Sequence, residues 1–563
     1  MSESRALAKR RRLFPWNGQL PSVRGLLRAE GTVWIILLLG ATSGQATNVV
    51  RETKLGKVRG NLVRVDSTTV EEYKGIPFAE PPVGDLRFKE PVPKTPWEGT
   101  WNATNGGTTC HQVLHPNICN NPAVLTEDCL HLNVWAPANA AKSPVLVWIH
   151  GGGFAYGSAS LDGFNGRLLA ASTGVVLVSM NYRLGVLGFL NANSPDAPGN
   201  QGLLDQHLAL KWVQANIDVF GGDPARLTIV GNSAGSMSVH AHILSPLSKG
   251  LFKRAVMLSG SHNNLDFIDS THGSVVKGDN VAKLLGCSRH DKDLITHPDD
   301  VLRCLRSKTA EELAIATSEI FHSKEFTFFP TFNDRFLPKV PAVALERGFF
   351  QNVDVIVGVT SDECASVIII PSGSVILRES FDDIEYERLE RALQDVVFTW
   401  AHSDLPDLMK HYLVNVSAGE KQKLTKAYLD YLSDRVFNCP AQIFSEKHAA
   451  RKNAVYSFVF AHRSRKDGYP SWMGAPHHTT VPYLFLRPFR EETKFTEEDR
   501  TVSYNFARII TSFAENGTPV LPDGTPWPKF TKEAPISIVI GSNTFTPAHG
   551  FRRDKCEAWR EIL

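Results

Sequence analysis

Two continuous apolar runs lie in the first third of the chain, and each leads into a turn. Residues 145–149 (VLVWI) precede His150 and three glycines, and residues 175–180 (VVLVSM) precede Asn181. Strands that are apolar throughout are typical of a sheet covered on both faces, because each side of the strand meets another element. Further strands are predicted at 227–230, 255–258, 353–357, 455–460 and 536–540, and short β-type stretches begin near residue 49.

Segments with helical periodicity alternate with these strands. Within residues 204–213, Leu204, Leu208 and Trp212 recur every four residues and predict one buried helical face. The stretch from about 265 to 450 is rich in helix-like segments and is predicted to be an insertion over the sheet. Strands that alternate with helices predict an α/β fold with a large, mostly parallel, doubly wound sheet flanked by helices.

The first 46 residues differ in composition from the rest of the chain. Seven Lys and Arg against two Glu give this segment a charge of +5, so the overall charge of +2 leaves −3 on the other residues. A near-neutral to mildly acidic body argues against nucleic acid as a partner. An apolar run at 33–41 and small residues ending at Ala46 follow the basic stretch, as in a secretory signal peptide.

We therefore predict a cleaved signal peptide at 1–46 and a single domain at 47–563. The apolar run is too short to span a bilayer, which needs about 20 residues. The alternatives are a short membrane anchor and a cytosolic basic arm. Three N-x-S/T sequons fit export and predict glycosylation at Asn102, Asn415 and Asn516.

A glycine-flanked serine follows the predicted strand at 227–230. The pentapeptide GNSAG at 231–235 stands between that strand and a segment that begins like a helix. On a sharp strand-to-helix turn the serine hydroxyl points away from the sheet, and the glycines allow close packing. Ser233 is therefore the candidate nucleophile, and the Ala234 N–H at the helix start would face a developing oxyanion.

A second glycine-rich turn, HGGGF at 150–154, ends a core strand upstream of the serine. Successive glycines let backbone N–H groups turn inward without obstruction by side chains. Gly152 and Gly153 are predicted to complete an oxyanion hole with Ala234. A phosphate-binding loop is disfavoured because the chain lacks the G-x-x-x-x-G-K-[ST] sequence.

Longer stretches around these motifs resemble the type-B carboxylesterase family, which includes the cholinesterases. Residues 220–235 resemble its serine signature, and EDCLHLNV at 127–134 resembles its second signature. YKGIPFA at 73–79 and NYRLG at 181–185 match as well. The resemblance extends from about residue 49 to Trp559 and implies an α/β-hydrolase fold with helical insertions over an active-site gorge.

The resemblance also implies a catalytic base. An unaided serine is a poor nucleophile, and the fold's chain order of serine, acid and histidine places both partners after Ser233. WMGAPH at 472–477 resembles the family's catalytic-histidine segment and implies His477 as the base. Its neighbour His478, which stands where the family usually has glycine, is the alternative.

The acid of the triad is implied in the same way. Glu363, within GVTSDE at 358–363, matches the family's acidic position, and Asp362 is the alternative. Ser259 resembles a serine that supports the acid. A plain turn residue is an alternative for Ser259.

The eight cysteines are too sparse for a disulfide scaffold, and no C-x-x-C pair indicates a zinc site. Spacing alone does not give their connectivity. The resemblance implies three disulfides: Cys110–Cys129, Cys287–Cys304 and Cys439–Cys556. Cys119 and Cys364 remain as a fourth bridge, which export favours, or as two free thiols.

Several positions depart from the cholinesterase pattern. Cholinesterases hold a quaternary ammonium against aromatic rings. CNN at 119–121 and SV at 366–367 stand where they carry aromatics, and Asn232 replaces the usual acidic residue before the serine. Asp266 lies near the place of an acyl-pocket tryptophan, and only Phe326 matches a pocket phenylalanine. These departures favour a general or lipophilic-ester carboxylesterase.

The chain is thus predicted to be a secreted serine carboxylic-ester hydrolase that acts on uncharged or lipophilic small-molecule esters through an acyl-enzyme. No metal or organic cofactor is implied, because the oxyanion hole and the triad supply the chemistry. REIL at 560–563 is a poor match to an ER-retention signal, so secretion is favoured over luminal retention, and no stable membrane anchor is expected. The alternatives are a cholinesterase and a non-catalytic adhesion or binding protein of the same family.

Overall fold

A computed structural model describes residues 48–113, 124–322, 328–365, 408, 411–416, 420–468, 471–560 and 563. The predicted signal peptide, Cys119 and the predicted pocket residue Phe326 lie outside these residues. Contacts group Ala46–Leu563 into one compact unit.

Thirteen strands of the described residues form one mixed sheet, and four short strands form two separate pairs. The order across the large sheet is β1-β2-β3-β7-β9-β8-β12-β13-β14-β15-β16-β17, with β4 beside β2. The strands are β1 (Asn48–Thr53), β2 (Gly56–Val65), β3 (Thr68–Pro77), β4 (Thr100–Asn102), β5 (Thr108–Cys110), β6 (Val124–Thr126), β7 (His131–Pro137), β8 (Ser143–Ile149), β9 (Val176–Met180), β10 (Asn191–Ser194), β11 (Ala197–Pro198), β12 (Gly222–Asn232), β13 (Arg254–Leu258), β14 (Asp354–Thr360), β15 (Val455–Phe460), β16 (Ile536–Ile540) and β17 (Phe545–His549).

The centre of the sheet is parallel. From β9 through β8, β12, β13, β14 and β15 to β16, every neighbouring pair runs in the same direction, and antiparallel strands flank this run on both sides. The mostly parallel α/β architecture predicted from the apolar runs is therefore confirmed. Every predicted strand is present, and β12 is longer than the predicted 227–230.

The side chains of the apolar strands are buried on both faces of the sheet, as their sequence predicts. Val145, Val147 and Ile149 of β8 pack into one hydrophobic core, whereas Leu146 and Trp148 pack into a second core on the opposite face. Successive side chains of a strand point to opposite faces, so a run without polar residues fits only where both faces are buried.

Helices cover both faces of this sheet. The described helices are α1 (Arg167–Thr173), α2 (Gly185–Phe189), α3 (Gln201–Asn216), α4 (Ala234–Leu244), α5 (Thr271–Leu284), α6 (Pro298–Ser307), α7 (Ala310–His322), α8 (Pro341–Arg347), α9 (Lys421–Ser433), α10 (Cys439–Ala450), α11 (Thr480–Leu484), α12 (Glu497–Asn516) and α13 (Arg553–Glu557). A π-helical segment, Asp434–Asn438, joins α9 to α10.

Two helical predictions differ from the structure in detail. In α3, Leu204 and Trp212 are buried but Leu208 is only half-buried, and other sides of the helix, such as Leu203 and Leu210, are also buried. The helix therefore lacks a single buried face. The helix-rich stretch at 265–450 contains α5 to α10, but the core strand β14 interrupts it.

Three disulfides are present with the implied pairing. They join Cys110 to Cys129, Cys287 to Cys304, and Cys439 to Cys556. The last of these closes the longest loop, with a sequence separation of 117 residues. In the described residues, no helix combines the length and the apolar character needed to cross a membrane.

Candidate active site

The candidate catalytic residues follow neighbouring strands of the parallel sheet. Ser233 comes directly after β12, Glu363 lies just beyond β14, and His477 lies in the connection after β15. β14 and β15 are adjacent in the sheet, and β13 lies between β12 and β14. Because parallel strands end at the same edge, residues that are distant in sequence converge in the crevice outside their carboxyl ends.

Ser233 occupies a strained turn between β12 and α4. Its backbone angles are φ 58° and ψ −126°, a conformation that a residue with a side chain rarely adopts. The flanking glycines make the turn possible: a Cβ at Gly231 would lie 2.2 Å from the Gly235 carbonyl oxygen, and one at Gly235 would lie 2.1 Å from the Ile149 carbonyl oxygen. The Ser233 N–H donates to the Leu258 carbonyl at 2.9 Å and ties the turn to β13.

The glycine-rich turn after β8 packs directly on the serine. A Cβ at Gly151 would lie 2.5 Å from the Asn232 carbonyl oxygen and 3.0 Å from Ser233 Cβ. Gly152 and Gly153 have φ of 116° and 59°, which glycine adopts at low cost. Among the described residues, no acceptor bonds to the N–H groups of Gly152, Gly153 or Ala234. These donors are therefore free for an oxyanion.

A hydrogen bond between buried side chains joins the candidate base to the candidate acid. His477 Nδ1 donates to Glu363 Oε2 at 2.6 Å, and the Glu363 residue is fully buried. The Thr360 N–H donates to the other carboxylate oxygen at 2.7 Å. The His477 N–H also donates to the Glu363 carbonyl at 3.1 Å. Three hydrogen bonds thus fix the orientation of the acid and the imidazole.

The side chains of Asp362 and His478, the alternatives for the acid and the base, make other hydrogen bonds. Asp362 accepts hydrogen bonds from Ser361 Oγ and from the Ala475 N–H, so its carboxylate faces the loop before His477. His478 Nδ1 makes a short hydrogen bond to Asn232 Oδ1, on the residue before the nucleophile. This bond ties the histidine loop to the nucleophile turn.

Phe437 is a site residue that the sequence analysis missed. Its ring stacks on the His477 ring, with centroids 4.4 Å apart and planes inclined by 29°. Phe437 lies in the π-helical segment between α9 and α10, and such segments are frequent at functional sites. No local pattern in the sequence predicts a π-helical turn or its contact with a distant histidine.

Two further predicted residues, Ser259 and Asp266, differ in their contacts. Ser259 Oγ is buried and has no hydrogen-bond partner in the described part of the chain, and its support of the acid stays a prediction. Asp266 forms a bidentate ion pair with Arg435, at 2.7 Å and 2.8 Å. The Arg435 guanidinium therefore balances the charge of Asp266.

Buried groups around the triad stay uncharged. Burial lowers the pKa of His150, at the start of the glycine-rich turn, to about 4. Burial and the neighbouring His477 also lower the pKa of His478. Cys364, next to the acid, is a free buried thiol whose pKa is raised by burial and by Glu363, whereas its candidate partner Cys119 lies outside the described residues.

The three sequon asparagines lie on the surface. Asn102 ends β4, Asn415 lies in the short described segment 411–416, and Asn516 ends α12; all three are exposed. Glycosylation at these sites stays a prediction.

Comparison with known proteins agrees with the fold. The model of the carboxylesterase family matches residues 47–559, which is nearly the whole chain. An acetylcholinesterase of Bungarus fasciatus is 34% identical over 574 aligned positions, which cover 97% of this chain and 92% of the relative. The chain therefore belongs to the carboxylesterase family and has its α/β-hydrolase fold.

Proposed function

We propose that this protein is a serine carboxylic-ester hydrolase with Ser233 as nucleophile, His477 as base and Glu363 as acid. The observation that carries the proposal is the buried hydrogen bond from His477 to Glu363 at the sheet edge where Ser233 stands on its strained turn. A neutral histidine that donates from Nδ1 keeps a lone pair on Nε2, and this nitrogen is the general base of such triads.

The first half of the reaction forms an acyl-enzyme. Ser233 Oγ attacks the ester carbonyl while His477 Nε2 takes its proton. The N–H groups of Gly152, Gly153 and Ala234 stabilise the oxyanion, and Glu363 stabilises the imidazolium. The intermediate collapses, the carbon–oxygen bond to the alcohol breaks, and His477 gives its proton to the leaving oxygen.

The second half frees the enzyme. His477 takes a proton from water, the hydroxide attacks the acyl carbon, and the bond to Ser233 Oγ breaks as the serine recovers its proton. The products are one carboxylic acid and one alcohol. No hydrogen bond joins Ser233 Oγ to the His477 ring among the described residues, and such bonds are often loose until substrate is bound.

We propose uncharged or lipophilic esters as the substrate class. Asn232 is neutral where a cation-binding relative would need a carboxylate, and Arg435 balances the charge of Asp266. An aromatic cluster beside the oxyanion turn, in which Phe329 lies near Phe154 and Phe267, offers an apolar wall for an acyl chain.

Hydrolysis of a panel of esters tests this function. We expect p-nitrophenyl esters of increasing acyl length to be cleaved with higher kcat/KM than acetylthiocholine. Preference for acetylthiocholine would instead indicate a cholinesterase. A folded protein that cleaves neither class would indicate a non-catalytic binding protein.

We also propose that the protein is secreted after cleavage of residues 1–46. Three disulfides and three exposed sequons support export, because disulfides persist in oxidising compartments. Expression in a secreting cell should release a protein whose N-terminus is Thr47 and whose mass falls after deglycosylation. Retention of the full-length chain in the cell would contradict this proposal.

A further inference from the structure

Two polar residues beside the candidate triad are paired with each other and have no step in the proposed mechanism. Asn232 ends β12 just before the nucleophile, and His478 follows the candidate base. Their side chains form a short hydrogen bond. His478 has φ of 71°, a left-handed conformation that disfavours a residue with a side chain.

The surrounding hydrogen bonds fix the orientation of both side chains. Asn232 Nδ2 donates to the Leu258 carbonyl at 3.2 Å, so the amide oxygen faces His478 and can only accept. His478 Nδ1 must therefore donate, and the neutral ring carries its lone pair on Nε2. Both members of the pair are uncharged when His478 is neutral.

The pair lies where a charge would act on the departing alcohol. The His478 ring centroid is 4.2 Å from that of His477, which hands its proton to the leaving oxygen. Asn232 is bonded to Ser233, and its side chain is almost completely buried. Water is largely excluded from Asn232, so a charge at this position would interact strongly with a charge on the alcohol.

Among the described residues, few ionisable side chains contact the pair. The ring of His477 contacts the ring of His478, and His477 Nδ1 donates a hydrogen bond to Glu363. Burial and His477 both favour the neutral form of His478. A carboxylate at position 232 would change this balance, because it would accept from the same Nδ1 and stabilise the imidazolium.

We propose that Asn232 and His478 act as one specificity-determining unit that keeps the leaving-group side of the site uncharged and selects esters of neutral alcohols. This inference rests on the proposed ester hydrolysis. It implies that a carboxylate at position 232 alone does not create a preference for cationic alcohols. His478 would take up a proton and cancel the new charge, so both residues must change together.

A matched pair of substrates tests this coupling. Acetylthiocholine and S-(3,3-dimethylbutyl) thioacetate have almost the same shape, but the first has a quaternary nitrogen where the second has a neutral carbon. The readout is the ratio of kcat/KM for the cationic ester to that for the neutral ester. It is measured for the wild type, Asn232→Glu, His478→Gly and the double variant.

We expect the ratio to stay within about threefold of wild type for each single variant and to rise at least about tenfold for the double variant. Asn232→Gln is the uncharged control and should leave the ratio unchanged. If His478→Gly does not fold, His478→Asn replaces it, because asparagine tolerates the left-handed conformation.

A rise of at least about tenfold in the kcat/KM ratio with Asn232→Glu alone would overturn the proposal. Additive effects of the two single substitutions on the free-energy difference that corresponds to this ratio would overturn it as well. These outcomes differ from a failure of the proposed function, in which the folded wild-type protein cleaves neither ester.

Discussion

At the scale of single residues, neighbouring side chains of the candidate site differ in their hydrogen-bond partners. Glu363 is fully buried, and its two carboxylate oxygens accept from His477 and from the Thr360 N–H. Asp362, one residue earlier, faces Ser361 and the Ala475 N–H instead. The two neighbouring acids therefore make separate contacts, and substitution can distinguish their proposed roles.

Glu363→Gln should lower kcat by about 10³–10⁴-fold, because an amide keeps the size of the side chain but does not stabilise the imidazolium or hold the correct tautomer. Steady-state kinetics with a p-nitrophenyl ester measures this loss. Asp362→Asn is the matched control and should cost less than about tenfold. A larger loss from Asp362→Asn than from Glu363→Gln would assign the acid to Asp362.

How much of the site can be predicted from sequence depends on the range of each contact. Ser233 and its glycines follow from a local pattern, because strand, turn and helix are consecutive. Glu363 and His477 require the family resemblance, since the sheet brings them together from distant parts of the chain. The stacking of Phe437 on His477 and the bond between His478 and Asn232 are long-range contacts without a local signal. Asn232 and His478 both depart from the family pattern, and these paired departures were the available indication of their contact.

At the scale of elements, the connection from β12 to α4 depends on close backbone contacts. Gly235, in the first turn of α4, lies against the end of β8, where the Ile149 carbonyl oxygen leaves no space for a methyl group. β12 was predictable from its apolar run, and the start of α4 was predictable from the segment that follows the serine. The π-helical segment Asp434–Asn438 was not, since its hydrogen-bond pattern depends on tertiary contacts such as the pair of Arg435 with Asp266.

Gly235→Ala should lower the free energy of unfolding by about 1–3 kcal/mol, because the new Cβ forces β8 and α4 apart. It should also reduce kcat by displacing Ser233. Urea denaturation with a parallel activity assay measures both effects. Gly163→Ala is the control, since a Cβ there meets no atom within 4 Å, and its stability should change by less than about 0.5 kcal/mol. Equal effects of the two substitutions would contradict the packing of this turn.

At the scale of the whole molecule, stability depends on buried neutral histidines and on disulfides. Burial lowers the pKa of His150 to about 4 and the pKa values of His242 and His262 to about 3. The predicted large parallel sheet is confirmed, but the number of histidines that it buries could not be read from their positions in the sequence.

The stability should fall as the pH falls below 6.5. In that range the unfolded chain binds protons that the buried rings do not, so each such ring lowers the free energy of unfolding by about 1.4 kcal/mol per pH unit down to about pH 4. Urea denaturation at several pH values measures this slope. His262→Leu removes a ring whose nitrogens have no hydrogen-bond partner in the described residues. This substitution should reduce the slope by the contribution of one ring, about 1.4 kcal/mol per pH unit. An unchanged slope would contradict this assignment.

The disulfides should differ in their contribution to stability. In the chain-entropy account, a bridge that closes a longer loop restricts the unfolded chain more. Replacing both Cys439 and Cys556 by serine opens a separation of 117 residues and should cost about 4–5 kcal/mol, against about 3 kcal/mol for the pair Cys287 and Cys304 with a separation of 17. Urea denaturation of the two double variants tests this order. A larger loss for the shorter loop would contradict it.

We propose that Ser233, activated by His477 and Glu363, is the nucleophile of an esterase. Mass spectrometry of the protein after reaction with a p-nitrophenyl phosphotriester tests this assignment of the nucleophile. We expect one phosphoryl adduct per chain on Ser233, release of one equivalent of p-nitrophenolate, and loss of esterase activity in proportion. Ser233→Ala should be folded, unlabelled and inactive. A folded wild-type protein that remains unlabelled at Ser233, or a Ser233→Ala variant that still cleaves esters, would contradict the claim.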